Sequence, residues 1–257
     1  MRLTLENKIK QEIFVSLFQL LKNWSSHINM HFETDRLYIQ SMDKSHICLA
    51  DIVFKNKWFC NYECLKDVKI SLDSNQFAVL INYALKHDII EIKFDDNNII
   101  DNLYINFLNA KEKKTTFDHF FELPLIDVEE DNLGIPNVEY EVDFTIESKK
   151  FVEVLSELHT FGQDLHVICN EKLVELNANV LKVNIPIDDL ISYAIAEGDE
   201  LNISFSLNHL CKLCTSTKLS QIIDISLGSQ FPMALIYNIG EESKIAFYIA
   251  PKVSESE

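Results

Sequence analysis

The sequence predicts an α+β protein in which one domain type occurs twice, each copy carrying two helices and antiparallel sheets. Three observations point there. The two halves of the 257-residue chain repeat each other, each half holds two short amphipathic helical patterns, and most of the remainder alternates or is β-branched.

The repeat is read directly. Ile70-Ser71-Leu72 recurs 133 residues later as Ile203-Ser204-Phe205, and at the same offset Asn75 meets Asn208, Phe77 meets Leu210 and Leu80 meets Leu213. Ile89-Ile90-Glu91-Ile92 then meets Ile222-Ile223-Asp224-Ile225. An earlier pair fits at offset 137, with Phe14, Val15, Leu17, Phe18 and Leu21 against Phe151, Val152, Val154, Leu155 and Leu158. A loop-length difference accounts for the change of offset. The most loop-like stretch, DVEEDNLGIP over 127–136, lies at the midpoint, where a linker between equal halves belongs. The expected division is 1–122, a connector over 123–139, and 140–257.

Helical spacing predicts helices over 9–24, 74–86, 148–161 and 207–217. Asp73 or Ser74, and Ser206, suit the N-cap, since a short polar side chain can accept from the first free N–H groups. Strands are expected over 36–40, 46–54, 91–94, 103–108, 139–145, 181–185, 233–237 and 244–250.

Bulk properties exclude several classes. Hydrophobic residues make up 47% of the chain, enough for a full core. There is no apolar run of about 18 residues, and the charged start MRLTLENKIKQE has no apolar h-region, so a soluble intracellular protein is expected. Six scattered cysteines read as reduced, mostly buried thiols. No phosphate-binding glycine loop, HExxH or GxSxG occurs, and Cys211-x-x-Cys214 lacks two further ligands. No enzyme activity, cofactor or metal is expected.

The net charge of −17 argues against nucleic acid until it is sorted by place. The helical windows and their margin hold Lys10, Lys22, Lys86, Lys149, Lys150, Lys212 and Lys218 against Glu12, Glu153 and Glu157. Helices gathered on one face could present a weakly positive surface inside an acidic shell. Equally, lysine is simply a good helix former.

Four landmarks stand in order along the chain: Gln40-Ser41-Met42-Asp43 with Ser45-His46, then Leu133-Gly134-Ile135-Pro136 with Glu139-Tyr140, then Pro232, then Tyr248-Ile249-Ala250-Pro251-Lys252. These segments resemble the eukaryotic-type sliding clamp family called proliferating cell nuclear antigen. They keep the family's order and nearly its spacing along the whole chain. The resemblance implies a head-to-tail homotrimeric ring with pseudo-sixfold symmetry, helices lining a channel around double-stranded DNA, and sheets outside. It implies as partners a DNA polymerase, a clamp loader and other proteins bearing a short motif of Gln, an aliphatic residue and two aromatics, with no membrane. The expected location is the nucleus, or a viral replication site.

By the same resemblance, Met42, Ile47, Leu133, Ile135, Pro232 and Tyr248 wall a pocket for that motif, His46 borders it, and Ala250 and Pro251 receive the Gln and flanking backbone. Asp127, Glu129, Glu130 and Asp131 would steer basic partner segments. The seven lysines above would face DNA. Phe117, Phe120 and Phe121, in an edge strand over 116–122, would meet the neighbour's Leu181, Val183 and Ile185, although each Phe could instead be core. The chain departs from the family where Val15, Ser16, Val79, Asn82, Glu153, Ser156, Asn208 and Thr215 stand at positions usually Lys or Arg. That departure favours the alternative of a heteromeric checkpoint-ring subunit or a viral processivity factor that does not encircle DNA.

Overall fold

The computed structural model describes residues 1–94, 101–110, 117–128, 133–135, 138–214 and 217–252. The chain forms two compact units: Met1–Lys44, Ala50–Asn132 and Ile239–Ile245 make the first, and Ser45–Leu49, Leu133–Asn238 and Ala246–Glu257 the second.

The first unit runs β1 (Arg2–Leu5), α1 (Lys8–Leu21), β2 (His27–Phe32), β3 (Arg36–Met42), β4 (Cys48–Lys55), β5 (Asn61–Glu63), β6 (Val68–Asp73), α2 (Ser74–Ile81), β7 (Ile89–Lys93), β8 (Asn102–Leu108) and β9 (His119–Pro124). Its strands order as β5-β1-β7-β8-β9 and β4-β3-β2-β6. Pairing is antiparallel, with Leu3 opposite Ile92 and Ile92 opposite Ile105. Phe14, Phe18 and Phe77 join α1 to α2 through edge contacts at 4.7 and 4.6 Å, and Phe54 and Trp58 extend the cluster. Each such side chain contributes about 1.5–3 kcal/mol by leaving water.

The second unit runs β10 (Val142–Glu147), α3 (Ser148–Phe161), β11 (Asp164–Cys169), β12 (Leu173–Ala178), β13 (Leu181–Pro186), β14 (Ser192–Ile195), β15 (Leu201–Ser206), α4 (Leu207–Leu213), β16 (Ile222–Gly228), β17 (Phe231–Gly240) and β18 (Ser243–Ile249). Its strands order as β13-β12-β11-β15 and β14-β10-β16-β17-β18. Val142, Phe144 and Ile146 point inward along β10 while Asp143 and Glu147 point out, the period-two pattern of a half-buried strand. On α3, Phe151, Leu155 and Leu158 make one buried stripe at helical spacing.

Among the described residues each unit thus holds two α-helices with one four-stranded and one five-stranded set, the α+β repeat expected. The offset of 133 carries β6 and α2 onto β15 and α4. Asp73 caps α2 by accepting from Gln76 N at 2.8 Å, and Asn7 caps α1 by accepting from Ile9 N and Lys10 N.

Helix ends differ from the periodicity. The first helix stops at Leu21, because the N–H groups of Asn23 and Trp24 turn to carbonyls three residues back. The second ends at Ile81 and continues as a 3-10 turn over Asn82–Lys86. The fourth stops at Leu213, before the hydroxyl-rich 215–217, a poor helix-forming run. Two strands start late: β4 at Cys48, because His46 adopts a left-handed φ of 57°, and β10 at Val142. All six cysteines are free thiols, with Cys48, Cys64, Cys169 and Cys214 buried. Burial pushes the Cys169 and Cys214 thiols up to about 12.

Candidate functional site

Of the residues expected to wall the pocket, Ile47 and Ala250 are joined directly, at the start of the C-terminal tail. Ala250 N donates to Ile47 O at 2.9 Å, and Lys252 N donates to Ser204 O at 2.8 Å. The Lys252 ammonium adds a 2.6 Å ion pair with Asp164. Pro251 stands between the two donors and has no N–H to leave unpaired. The tail is therefore held between the Ile47 loop and the β15 edge.

Pro232 is placed from a different direction. Tyr140 OH donates to its carbonyl at 3.1 Å, and the Tyr140 ring meets Phe231 at 6.3 Å. Glu141 accepts from both the N–H and hydroxyl of Ser229, fixing the turn between β16 and β17. Those bonds hold the Glu141 carboxyl below the usual range.

None of the nine expected pocket residues is fully buried. Leu133 is 47% exposed, Pro232 and His46 are exposed, and Ile47, Ile135, Tyr248, Ala250 and Pro251 are half-buried. Met42, the last residue of β3 in the first unit, is half-buried too. Of the acidic connector, Asp127 is exposed, while Glu129, Glu130, Asp131 and Pro136 lie outside the described residues. The connector's start is tied to the first unit, where Ile126 N donates to Ser71 O at 2.9 Å.

The helix lysines are less available than their count suggests. Lys10 is half-buried, donating to Trp58 O at 2.8 Å with its ammonium 5.5 Å from the indole centre. Lys22 donates to Gln19 at 2.9 Å, and Lys86 lies over the Tyr83 ring. On α3, Lys150 pairs with Glu147 at 2.8 Å and Lys149 with Glu153 at 3.9 Å. Lys212 and Lys218 are exposed. The open face of α2 shows Asn75, Gln76 and Val79, with no lysine, and Val15 of α1 is buried. Thr215 lies outside the described residues.

Two edge strands carry the expected interface residues. In the first unit β9 ends its sheet order, with Phe120 on it 70% exposed and Phe117, two residues before its start, 85% exposed. Phe121 instead turns inward, its ring 5.4 Å from Phe107 and 6.2 Å from Tyr83. Thr116 lies outside the described residues. In the second unit β13 ends its sheet order, with Leu181 and Val183 half-buried and Ile185 buried on one face. Tyr140 and His209 are functional candidates that sequence reasoning missed, because each acts on a partner 92 or 164 residues away.

Comparison with known proteins matches nearly the whole chain. The family model described as proliferating cell nuclear antigen, N-terminal domain, matches residues 4–132, and the C-terminal domain model matches 134–252. A relative named Proliferating cell nuclear antigen, from Chaetomium thermophilum, is 24% identical over 269 residues, spanning 98% of this chain and all of the relative.

Proposed function

The chain belongs to the proliferating cell nuclear antigen family and is a DNA sliding clamp, and from that premise we propose how its own residues divide the work. It serves DNA replication and repair as a processivity factor. Ile47, Leu133, Ile135, Pro232, Tyr248, Ala250 and Pro251, with His46 at the border, receive the aromatic plug of a partner motif; Met42 is a further candidate. A polymerase and a clamp loader are the expected bearers of that motif, in the nucleus or at a viral replication site. The chain works as a docking surface without catalysis of its own.

One observation carries the docking reading. The C-terminal tail is hydrogen-bonded at residues 250 and 252, which fixes the backbone at Ile47 and Ala250 while the side chains of Ile47, Tyr248 and Pro251 stay only half-buried. Half-buried apolar side chains on a fixed backbone suit a short helical plug, where a few buried aromatics dominate the energy. The edge strands β9 and β13 support head-to-tail closure, each satisfying the other's open N–H and C=O groups. Three copies make the ring in this reading, with Lys22, Lys86, Lys149, Lys150, Lys212, Lys218 and the tethered Lys10 toward DNA.

Sedimentation of the full chain tests the assembly: a species near three times 29.8 kDa is expected. Loaded on nicked circular DNA, such a ring stays bound and is lost when the circle is cut open. A monomer at every concentration overturns the homotrimer and favours the heteromeric or non-encircling alternative, toward which the paired lysines of α3 already lean.

A further inference from the structure

We propose that His209, on α4, is a positioning residue for partner docking that acts through Ser45 to hold the His46–Ile47 loop. The proposal rests on the docking reading above and adds to it a residue outside the pocket.

The His209 ring is gripped on both nitrogens. Nδ1 lies 3.0 Å from the Ser206 hydroxyl and Nε2 3.1 Å from the Ser45 hydroxyl. Ser206 occupies the N-cap position of α4, yet its side chain caps no helix N–H. A serine there ordinarily accepts from the second or third N–H of the helix. Here its hydroxyl is engaged by the ring one turn later, which orients His209 toward Ser45.

The loop beyond Ser45 needs such a hold. His46 sits at φ 57°, in the left-handed region that a side chain with a Cβ disfavours. On its far side, Ile47 O accepts from Ala250 N at 2.9 Å. The left-handed residue therefore stands between two tethers, one to α4 and one to the C-terminal tail. Without the first, His46 and Ile47 lose their hold on the α4 side and shift from their docking positions while the fold stays intact. The tether also links a helix that bears Lys212 on its next turn to the docking loop.

The test is a titration of the full chain with a fluorescent synthetic peptide carrying Gln, an aliphatic residue and two adjacent aromatics. His209→Ala and Ser45→Ala are each expected to weaken binding about fivefold, the usual worth of one hydrogen bond, with the thermal midpoint held. The double variant should be no weaker than either single one, because both remove the same tether. His209→Gln, whose amide has a similar reach, should return binding to within about twofold of the starting chain. Additive losses, wild-type binding by His209→Ala, or no rescue by Gln overturn the proposal. Tyr248→Ala in the same series separates the two readings. If it abolishes binding while His209→Ala is neutral, only the tether fails. If the starting chain does not bind the peptide, or Tyr248→Ala binds normally, the docking reading falls and the tether with it.

Discussion

Lys150 places its ammonium 2.8 Å from the carboxylate of Glu147, the residue just before α3, and Lys149 reaches Glu153 one turn along. Both pairs are exposed, so each contributes little to stability. Their effect is on the field: both lysines of α3 are answered locally before any phosphate approaches. The double variant Glu147→Gln, Glu153→Gln is expected to bind duplex DNA more tightly at low salt. The dependence of log affinity on log salt should steepen by about one for each lysine freed. Fluorescence anisotropy across a salt series measures both.

Glu91 illustrates a charge held inside a sheet. Its side chain is only 6% exposed, yet it takes Arg2 at 2.6 Å, Lys93 at 3.4 Å and the Asn106 amide. Burial raises its pKa, but the bonds from Asn106 and Arg2 outweigh burial and leave the carboxyl below its ordinary 4.5. A folded value below the unfolded one means stability is fully present above pH 4.5 and is lost as pH falls through the folded value. Glu91→Gln should cost about 1–3 kcal/mol at pH 7 and flatten that acid limb. Urea melts at pH 7 and pH 4 check it.

The repeat was legible because the core demands it. Inward residues of β6 and β15 must be apolar in the same register, so Ile70 and Leu72 reappear as Ile203 and Phe205. Helices α1 and α3 showed their stripes for the same reason. Strands β1, β5 and β14, of only three or four residues, offer too short a pattern to register as alternation. The expected docking residues came from landmark peptides, and the contacts made around them by the folded chain were hidden. Tyr140 on Pro232 and His209 on Ser45 are contacts made by the folded chain, with no local spacing to announce them.

Edge pairing can be broken without touching a core. Phe120 on β9 is 70% exposed, and Val183 on β13 is half-buried at an open edge. Phe120→Glu or Val183→Glu places a charge where the head-to-tail reading puts an apolar seam. Each is expected to shift the trimeric mass to monomer in sedimentation, while circular dichroism and thermal midpoint stay near those of the starting chain. A trimer that survives both changes places its contact elsewhere.

His31 supplies a titration of opposite sense to a salt-bridged histidine. It lies on β2 opposite Tyr38 and Lys69, its ring 5.9 Å from the Tyr38 ring, and its Nε2 is buried without a hydrogen-bond partner. Burial, and then the neighbouring Lys69 charge, lower its pKa from 6.5. The unfolded chain therefore takes up the proton first as pH falls. Stability is full above 6.5 and declines below it until the folded value is reached, where the loss levels off. His31→Phe keeps a ring against Tyr38 and removes the titrating group. It is expected to be more stable than the starting chain at pH 5.5 by a wider margin than at pH 7.5, as read from urea midpoints at the two values. An equal margin at both would mean that His31 is as easily protonated folded as unfolded, and that its orphaned nitrogen finds a partner when charged.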